Sequence, residues 1–313
     1  MGKNVSKSSL ARANQDRDYH IFEEYAYYLV SEARQKCANH IFKLGGNVYA
    51  FDSTTIDLCL SVFWWAKFRK KKGGIKVHTL YDVETQIPAF FHITEASVHD
   101  SKVMIEIPYE PSSYYIFDRG YNNFKILYKI HQIEAYFVVR AKKNLGYKSI
   151  QWKRRLPKNV LSDASVFLTG FYPKQYYPEP LRLVKYWDEE QEREFTFITN
   201  AMHISALQVA ELYKNRWQVE LFFKWLKQHL KIKRFWGTTE NAVRIQIYAA
   251  ICAYCLVAII QHDMQLNRST YEVLQILSIS LTDKTHLRDL FDKTKFQNDK
   301  ERFGPNRPSS FKF

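Results

Sequence analysis

The hydrophobic positions at the start of the chain repeat with a helical period and then give way to strand patterns. Between residues 8 and 37, apolar side chains recur three or four positions apart, which predicts a helix. After the chain-breaking pair Gly45-Gly46, a strand that ends near Asp52 is predicted for NVYAFDSTTIDL, which is rich in β-branched and aromatic residues. A hairpin is predicted for GIKVHTLYDVETQIPAFFHIT, with its turn near Glu84.

Strand and helix patterns alternate over the following segment. A short helix is predicted for HDSKVMIEI, and a buried strand with a turn for SSYYIFDRGYNN. A longer helix is predicted for FKILYKIHQI and a further strand for AYFVVRA. Strands that alternate with helices favour an α/β fold, in which a mixed sheet is flanked by helices.

The character of the chain changes between residues 142 and 200. Three strands are predicted there, for VFLTGFY, LRLVKYW and REFTFITN, and Pro and charged residues separate them. Helical periodicity returns at Ser205 and continues to residue 235, followed by a buried helix around 240–262 and a polar helical stretch over 268–297. We therefore predict a helical region over 1–45, a core in two parts over 46–141 and 201–265, a β-rich insertion over 142–200 and a C-terminal helical tail over 266–313.

The most apolar run, IYAAICAYCLVAII, is read as a core helix. It has fourteen apolar residues, fewer than the roughly 20 that cross a bilayer. Its Cys252 and Cys255 then serve as small core residues. The first twenty residues hold no apolar run of signal-peptide type, so we expect a soluble intracellular protein that does not enter a membrane.

The charge balance points to a polyanionic partner. The chain has 46 Lys and Arg against 32 Asp and Glu, a net charge of +14. Proteins this basic most often bind nucleic acid, although a merely basic soluble protein stays an alternative. A basic turn that contains Lys70 and Lys71 is a candidate for contact with phosphates, or a solvated turn.

Two carboxylates follow apolar strands. Asp52 in AFDST and Asp118 in IFDRG each come at a predicted strand end, where open sheets bind their ligands. A carboxylate in such a place is costly unless it is paired, hydrogen-bonded or bound to metal. A turn-capping Asp is the alternative for each. We expect Arg119 to contact phosphate beside Asp118, and rank His78, His99 and Asp100 lower.

The helix ELYKNRWQVELFFKWLKQHLKIKRF adds a third carboxylate. At about 100° per residue, its Tyr213, Arg216, Glu220 and Lys227 fall within an arc of about 60°. A solvated salt-bridge face is the alternative. Two strand-end Asp and one helical Glu would make a hard-oxygen site, which suits Mg²⁺. A pair of such ions about 3.5–4 Å apart can promote phosphodiester chemistry.

The residues of this stripe also resemble a known motif. Their spacing, Y-(2)-R-(3)-E-(6)-K, is similar to the YREK motif of bacterial transposases of the insertion sequence four family, within the larger DDE group. The stretches AFDST and FDRGY resemble the two catalytic Asp blocks of that family, and GGIKVHTLYD resembles the region after the first. The resemblance covers about residues 45–265.

This resemblance implies a fold, a reaction and a site. The fold would be an RNase H-like mixed sheet flanked by helices, with the β-rich insertion before the last catalytic helix. The reaction would be hydrolysis at transposon ends followed by strand transfer into target DNA. Asp52, Asp118 and Glu220 would bind two Mg²⁺ ions, for which Mn²⁺ can substitute, while Tyr213, Arg216 and Lys227 hold DNA phosphates. The partners would be double-stranded DNA, as inverted-repeat ends and target, and a second copy on paired ends.

Three expectations follow from differences within the family. Some relatives flip a base onto an aromatic residue of the insertion, and Trp187 is the candidate here, with core packing as its alternative. Relatives carry a longer N-terminal region that recognises their ends, so we expect residues 1–45 to be the remnant of a truncated one. A non-catalytic DNA-binding relative, or a metal-dependent nuclease without strand transfer, is the competing function.

Overall fold

The computed structural model describes residues 6–38, 41–69, 72–229, 235–268, 270–280 and 285–293. The chain divides into two compact units, Met1–Ile259 and Ile260–Phe313. The second unit contains helices α9 (Thr270–Ser280) and α10 (Leu287–Lys293), which contact each other. Within it, the Arg268 guanidinium donates a hydrogen bond of 2.9 Å to the Phe291 carbonyl oxygen.

One ten-stranded sheet organises the described part of the first unit. Its spatial order is β2-β3-β1-β5-β6-β10-β9-β8-β7, and β4 pairs with β3. The pairs β1–β5 and β5–β6 are parallel and the remaining pairs are antiparallel. The strands are β1 (Val48–Leu58), β2 (Lys67–Arg69), β3 (Lys72–Asp82), β4 (Ile87–Glu95), β5 (Tyr114–Phe117), β6 (Tyr136–Arg140), β7 (Tyr147–Trp152), β8 (Val160–Leu168), β9 (Leu181–Asp188) and β10 (Arg193–Thr199).

Helices accompany this sheet in chain order. They are α1 (Lys7–Asp16), α2 (Tyr19–Lys36), α3 (Asp100–Val103), α4 (Phe124–Gln132), α5 (Phe171–Tyr176), α6 (Ala206–Asn215), α7 (Trp217–His229) and α8 (Glu240–Asp263). Successive side chains of a strand point to opposite faces, and this separates two apolar clusters. Ile116 of β5 belongs to the cluster that includes α2, α6, α7 and α8, whereas Phe117 belongs to the cluster with α4. The predicted α/β architecture, a mixed sheet flanked by helices, is confirmed.

The first predicted strand was placed too short. Strand β1 runs through Asp52 and ends at Leu58, because residues after Asp52 continue to pair with the long antiparallel strand β3. Its parallel neighbour β5 stops at Phe117. Asp52 therefore lies where the parallel pairing ends, although its own strand continues. The predicted hairpin is present as β3 and β4, and Gln86 in its turn has a φ of 58°.

The predicted N-terminal helix is two helices. The Asp18 carboxylate accepts a hydrogen bond of 3.0 Å from the His20 N–H and caps the start of α2, which breaks the helical run. The amide of Asn241, at the start of α8, donates to three backbone carbonyls of the α1–α2 region and accepts from the Tyr19 N–H. This one side chain therefore ties the N-terminal helices to α8.

The β-rich region over 142–200 contains four strands where three were predicted. Strand β7 was missed because five of its six residues are exposed, so it has no apolar alternation to read. Strand β10 pairs with β6, so the region continues the central sheet. Inside it, the buried Arg182 donates two hydrogen bonds of 2.8 Å to the buried carboxylate of Asp163.

Helix α8 is a core helix by its burial. It is longer than the apolar run that predicted it, and within the described residues it is the helix long and apolar enough to cross a membrane by length and composition. More than half of its most apolar window, 56%, is buried inside the fold. Core helices pass the same composition test, so this feature alone is weak support for a membrane span.

The predicted helix over residues 205–235 is interrupted. Helix α6 ends at Asn215 and α7 begins at Trp217, with Arg216 between them. The Arg216 N–H bonds to the carbonyl of Tyr213, three residues back, so the chain tightens there by one 3₁₀-type turn. Arg216 itself keeps helical dihedral angles, φ −53° and ψ −30°, so the single-helix angles used to predict one stripe of side chains are altered only locally.

Candidate active site

The two predicted strand-end carboxylates lie side by side in the sheet. The parallel register pairs Phe51 of β1 with Phe117 of β5, and Asp52 and Asp118 are the next residue on each strand. Neighbouring strands lie about 4.8 Å apart. Both carboxylates contact side chains from the α6–α7 region, so both face the helices on that side of the sheet.

Arg216 joins the sheet to helix α7 through two short ion pairs. Its Nη1 donates to Asp52 Oδ2 at 2.7 Å, and its Nη2 donates to Glu220 Oε1 at 2.6 Å. All three side chains are mostly buried. This guanidinium therefore lies at the sheet edge between a carboxylate of β1 and a carboxylate one turn further along the helix.

Tyr213 makes the corresponding contact to the second strand. Its hydroxyl donates to Asp118 Oδ1 at 2.9 Å, and its ring packs 4.7 Å from the ring of Phe197 on β10. Burial, reinforced by the Asp118 charge, raises the pKa of the Tyr213 hydroxyl to about 12. The phenol therefore stays protonated and acts as a hydrogen-bond donor.

Burial dominates the electrostatics of Asp52. Removal from solvent raises the pKa of this carboxyl to about 6, even though the Arg216 charge and the Ser53 N–H lower it. The neighbouring carboxylates Glu220 and Asp118 raise the pKa further. For Arg216, burial lowers the pKa, but the Asp52 charge and its neighbours outweigh burial, so the net pKa is raised and the guanidinium stays charged.

Behind Asp52 lies a second set of polar side chains. Ser53 donates its N–H to Asp52 Oδ1 at 2.8 Å and its hydroxyl to Asp100 Oδ1 at 2.8 Å. Lys76 pairs with the same Asp100 oxygen at 3.0 Å. His78 lies 3.8 Å from that oxygen, is fully buried, and has no hydrogen-bond partner at Nδ1. Burial lowers the pKa of His78 to about 4, so it is neutral at physiological pH.

Some of the predicted residues meet at this site and others do not. The structure brings together Asp52, Asp118, Tyr213, Arg216 and Glu220. Lys227 is on α7, seven residues after Glu220, and is partly buried. Arg119 follows Asp118 and is exposed. His99 caps α3 through the Ser101 N–H.

The remaining predicted contacts lie elsewhere. Trp187 is 39% exposed on β9, paired with Glu194. Successive side chains of a strand alternate between the two sheet faces, so Trp187 points away from the face of Tyr186. Tyr186 packs against the apolar cluster that includes α6 and α7. The role of Trp187 as a base wedge stays a prediction. Lys70 and Lys71 lie outside the described residues.

Other residues at this edge were not found from the sequence. Ser53 bonds to Asp52 through its backbone N–H, and the Tyr121 hydroxyl lies 3.3 Å from Asp52 Oδ1. Neither residue belongs to a sequence pattern that would have marked it as part of a site. Arg140 is the last residue of β6, and Arg193 is the first residue of β10, the next strand in the sheet. For Arg140 a signal existed, because FVVRA ends an apolar strand with a charge, as IFDRG does.

The donor set suits a hard divalent cation in chemistry and charge. Asp52 and Glu220 pair with one guanidinium, Asp118 lies on the adjacent strand, and carboxylate oxygens are ligands that Mg²⁺ prefers. The distances between these carboxylates, however, are too long for one cation to bind all of them. Within the part of the chain that the structure describes, no group of three His, Cys, Asp or Glu side chains is close enough to hold a metal ion. Arg216 separates Asp52 from Glu220, so a cation that binds all three carboxylates requires this guanidinium to move.

Comparison with known proteins places the chain in one family. Residues 43–256 match the family model described as the transposase DDE domain. A protein of Sinorhizobium fredii named as transposase y4zB is 37% identical over 76% of this chain and 67% of its own length. A Geobacillus stearothermophilus protein, named as a transposase for insertion sequence element IS5377, is 27% identical over 80% of this chain and 66% of its own.

Two further proteins extend this comparison. A Synechocystis protein named as a transposase for insertion sequence element IS4SA is 25% identical over 90% of this chain and 80% of its own. The solved piggyBac transposase synaptic complex with hairpin DNA aligns with a TM-score of 0.45 and 14% identity, over 83% of this chain and 55% of that one. The chain thus spans about two thirds of the length of the first two relatives.

Proposed function

This chain belongs to the transposase DDE domain family, whose function is DNA transposition, and we propose that Asp52, Asp118 and Glu220 are its catalytic carboxylates. The observation that carries the proposal is their convergence. Asp52 and Asp118 end the parallel pairing of adjacent strands, and Arg216 links Asp52 to Glu220. A carboxylate cluster of this kind at a sheet edge is the usual place for metal-assisted phosphoryl transfer.

The proposed reaction has two phosphodiester steps. In the first, a water oxygen attacks the phosphorus at the transposon end, the bond to the 3′ oxygen breaks, and a 3′-hydroxyl is released. In the second, that 3′-hydroxyl oxygen attacks a target phosphorus, and the target's own 3′ oxygen leaves with a proton. DDE transposase domains use divalent metal ions, and bound Mg²⁺, or Mn²⁺ in its place, would activate the attacking oxygen and neutralise charge on the leaving one.

The cationic and phenolic side chains position the DNA in this proposal. Arg216 offers a planar fork that can exchange its two carboxylate partners for phosphate oxygens. Tyr213 keeps its proton and donates a hydrogen bond to Asp118. This bond fixes the Asp118 carboxylate and leaves its other oxygen for the cation. Lys227, on the same helix as Glu220, would supply a further point charge to the DNA backbone.

The proposal extends to the fold around this site, its partners and its location in the cell. The core would be RNase H-like, interrupted by the β-rich region 142–200, with residues 1–45 and 266–313 as helical additions. The partners would be duplex DNA, as transposon ends and target, and a second copy on paired ends. The net charge of +14 supports a polyanionic partner and a place in the cytoplasm at the nucleoid.

A joining assay tests this function. The full chain is incubated with pre-cut ends of its own element, a supercoiled target and Mg²⁺, and joined products are measured on a gel. We expect products with the wild type and none with Asp52→Ala. Asp57→Ala is the matched control, because Asp57 lies on the same strand, is exposed, and should keep full joining.

Three outcomes would contradict the proposal. Joining by Asp52→Ala at the wild-type rate would exclude Asp52 from catalysis. Cleavage without joining would favour a nuclease. DNA binding with neither reaction in Mg²⁺ or Mn²⁺ would favour a non-catalytic relative.

A further inference from the structure

A row of charged residues crosses four neighbouring strands at one edge of the sheet. The strand order there is β1-β5-β6-β10. Asp52 and Asp118 mark the first two strands, Arg140 is the last residue of β6, and Arg193 is the first residue of β10. Strand β10 runs antiparallel to β6 and pairs Phe197 with Arg140, so Arg193 lies four residues further along β10, beyond the end of β6. The charges are therefore acidic on β1 and β5, and basic at the end of β6 and on the extension of β10.

A buried aromatic ring holds both arginines on the face that carries the carboxylates. The Arg140 guanidinium lies 5.0 Å and the Arg193 guanidinium 4.2 Å from the centre of the Phe195 ring. That ring packs 5.8 Å from the ring of Tyr213, which bonds to Asp118. Cation–π contacts of this geometry orient a guanidinium while leaving its N–H groups available to a ligand.

These positive charges are not balanced within the described part of the chain. No Asp or Glu there forms an ion pair with Arg140 or Arg193. Asp188 is opposite Arg193 in the register, but its Oδ1 accepts the N–H groups of Glu190 and Gln191 in the turn. Burial, and then the charge of Arg140, lower the pKa of Arg193; Tyr213 and Asp188 act in the opposite direction, Arg119 adds to the repulsion, and the net pKa is lowered.

We propose that Arg140 and Arg193, held against Phe195, bind the phosphodiester backbone of a DNA strand that continues from the Asp52–Asp118 edge toward the 142–200 region. Arg140 follows Val139, the register partner of Phe117, so it is level with Asp118 on the adjacent strand, about 4.8 Å away. The Arg193 backbone is four residues further along β10, roughly 13 Å, but its guanidinium returns to the same Phe195 ring. DNA rises roughly 3.4 Å per nucleotide along one strand, so these charges can reach consecutive phosphates. The inference rests on the proposed function for the direction of the strand, and adds two phosphate contacts to it.

Salt-dependent binding tests the proposal directly. Binding of the full chain to a fluorescently labelled DNA duplex is measured by anisotropy over a salt series, in EDTA so that no cleavage occurs. Each phosphate contact contributes about 0.9 to the slope of log affinity against log salt. We expect Arg193→Gln to lower the slope by about 0.9, and Arg140→Gln with Arg193→Gln to lower it by about 1.8.

The controls separate this contact from general charge and from folding. Lys158→Gln removes the same charge from an exposed side chain of the same region, whose partner is Glu189 at 3.1 Å, and should leave the slope unchanged. Arg193 is exposed at a strand end, so Arg193→Gln should keep the wild-type unfolding midpoint. A wild-type slope for the folded Arg193→Gln protein and for the double variant would overturn the proposal.

Failure here is distinct from failure of the proposed function. If the wild type joins ends but the arginine variants show unchanged slopes, only the two proposed phosphate contacts are refuted. A wild type with no joining, but with the expected slope changes, binds DNA through this row without the proposed catalysis.

Discussion

Replacing Asp52 by Asn should stabilise the metal-free protein at neutral pH. Burial raises the pKa of the Asp52 carboxyl from an ordinary value of 3.8 to about 6, with the favourable Arg216 pair already included. Ionised Asp52 therefore lowers the free energy of unfolding. Asn keeps a carbonyl oxygen that can accept the Ser53 N–H, and carries no charge.

The size of this effect follows from the two pKa values. Their difference is 6 − 3.8, or about 2.2 units. At 1.36 kcal/mol per unit, the variant should gain about 3 kcal/mol at most. Because the folded-state pKa is the higher one, the cost of ionising Asp52 is absent below pH 3.8, grows as the pH rises through 6, and is complete above it.

Urea unfolding in EDTA, at several pH values between about 4 and 8, measures this difference. The advantage of Asp52→Asn should be near zero at the acid end and largest at neutral pH. Added Mg²⁺ should stabilise the wild type more than the variant and narrow the gap, because a ligand of the folded state stabilises it. Asp57→Asn, an exposed change on the same strand, should show no such gap. An Asp52→Asn protein that unfolds more easily than wild type at neutral pH would refute the reasoning.

Two further substitutions probe other contacts of the described chain. Arg182→Met should lower the free energy of unfolding by about 3 kcal/mol in urea, because it removes two hydrogen bonds from the buried Asp163 carboxylate, which keeps the mostly exposed Lys153 at 3.2 Å; a loss under about 1 kcal/mol would show that Lys153 and solvent compensate the Asp163 charge. Tyr213→Phe removes the hydroxyl that Asp118 accepts, worth about 0.5–1.5 kcal/mol. It should slow joining of pre-cut ends while the unfolding midpoint changes little, and unchanged joining would exclude a role for this bond.

Strand and helix identity followed from local patterns where burial is one-sided or complete. Strand β5 is a four-residue apolar run, and its neighbour β6 is similar, so both could be predicted. Strand β7 could not, because its residues are exposed on an edge and only pairing with β8 makes it a strand. The end of β1 was misplaced for a related reason, since its length depends on the distant strand β3.

The site divides in the same way. Asp52 and Asp118 could be predicted because a carboxylate next to an apolar strand needs a partner, and this cost is visible in the sequence. Their actual partners were not visible. The Arg216–Glu220 contact is an ordinary pair of neighbours one helical turn apart, but the link from Arg216 to Asp52 depends on how the helix packs on the sheet, which no local pattern contains. Arg140 was overlooked although its context is that of Asp118, because a strand-end arginine was not treated as costly.

The spacing of the helical motif matches the spacing of the strands beneath it. Helix α6 contacts β5 and β6, and α7 contacts β1 and β3, so the helical region crosses the strand ends. Tyr213 reaches Asp118 after β5, and Arg216, three residues later, reaches Asp52 on the adjacent strand β1. Three helical residues rise about 4.5 Å, which is close to one strand spacing of about 4.8 Å. Glu220 follows Arg216 by four residues and pairs with it as a neighbour one turn along the helix. An inserted residue between Tyr213 and Arg216 would rotate the later side chains by about 100° and separate the Asp52 contact from the Asp118 contact.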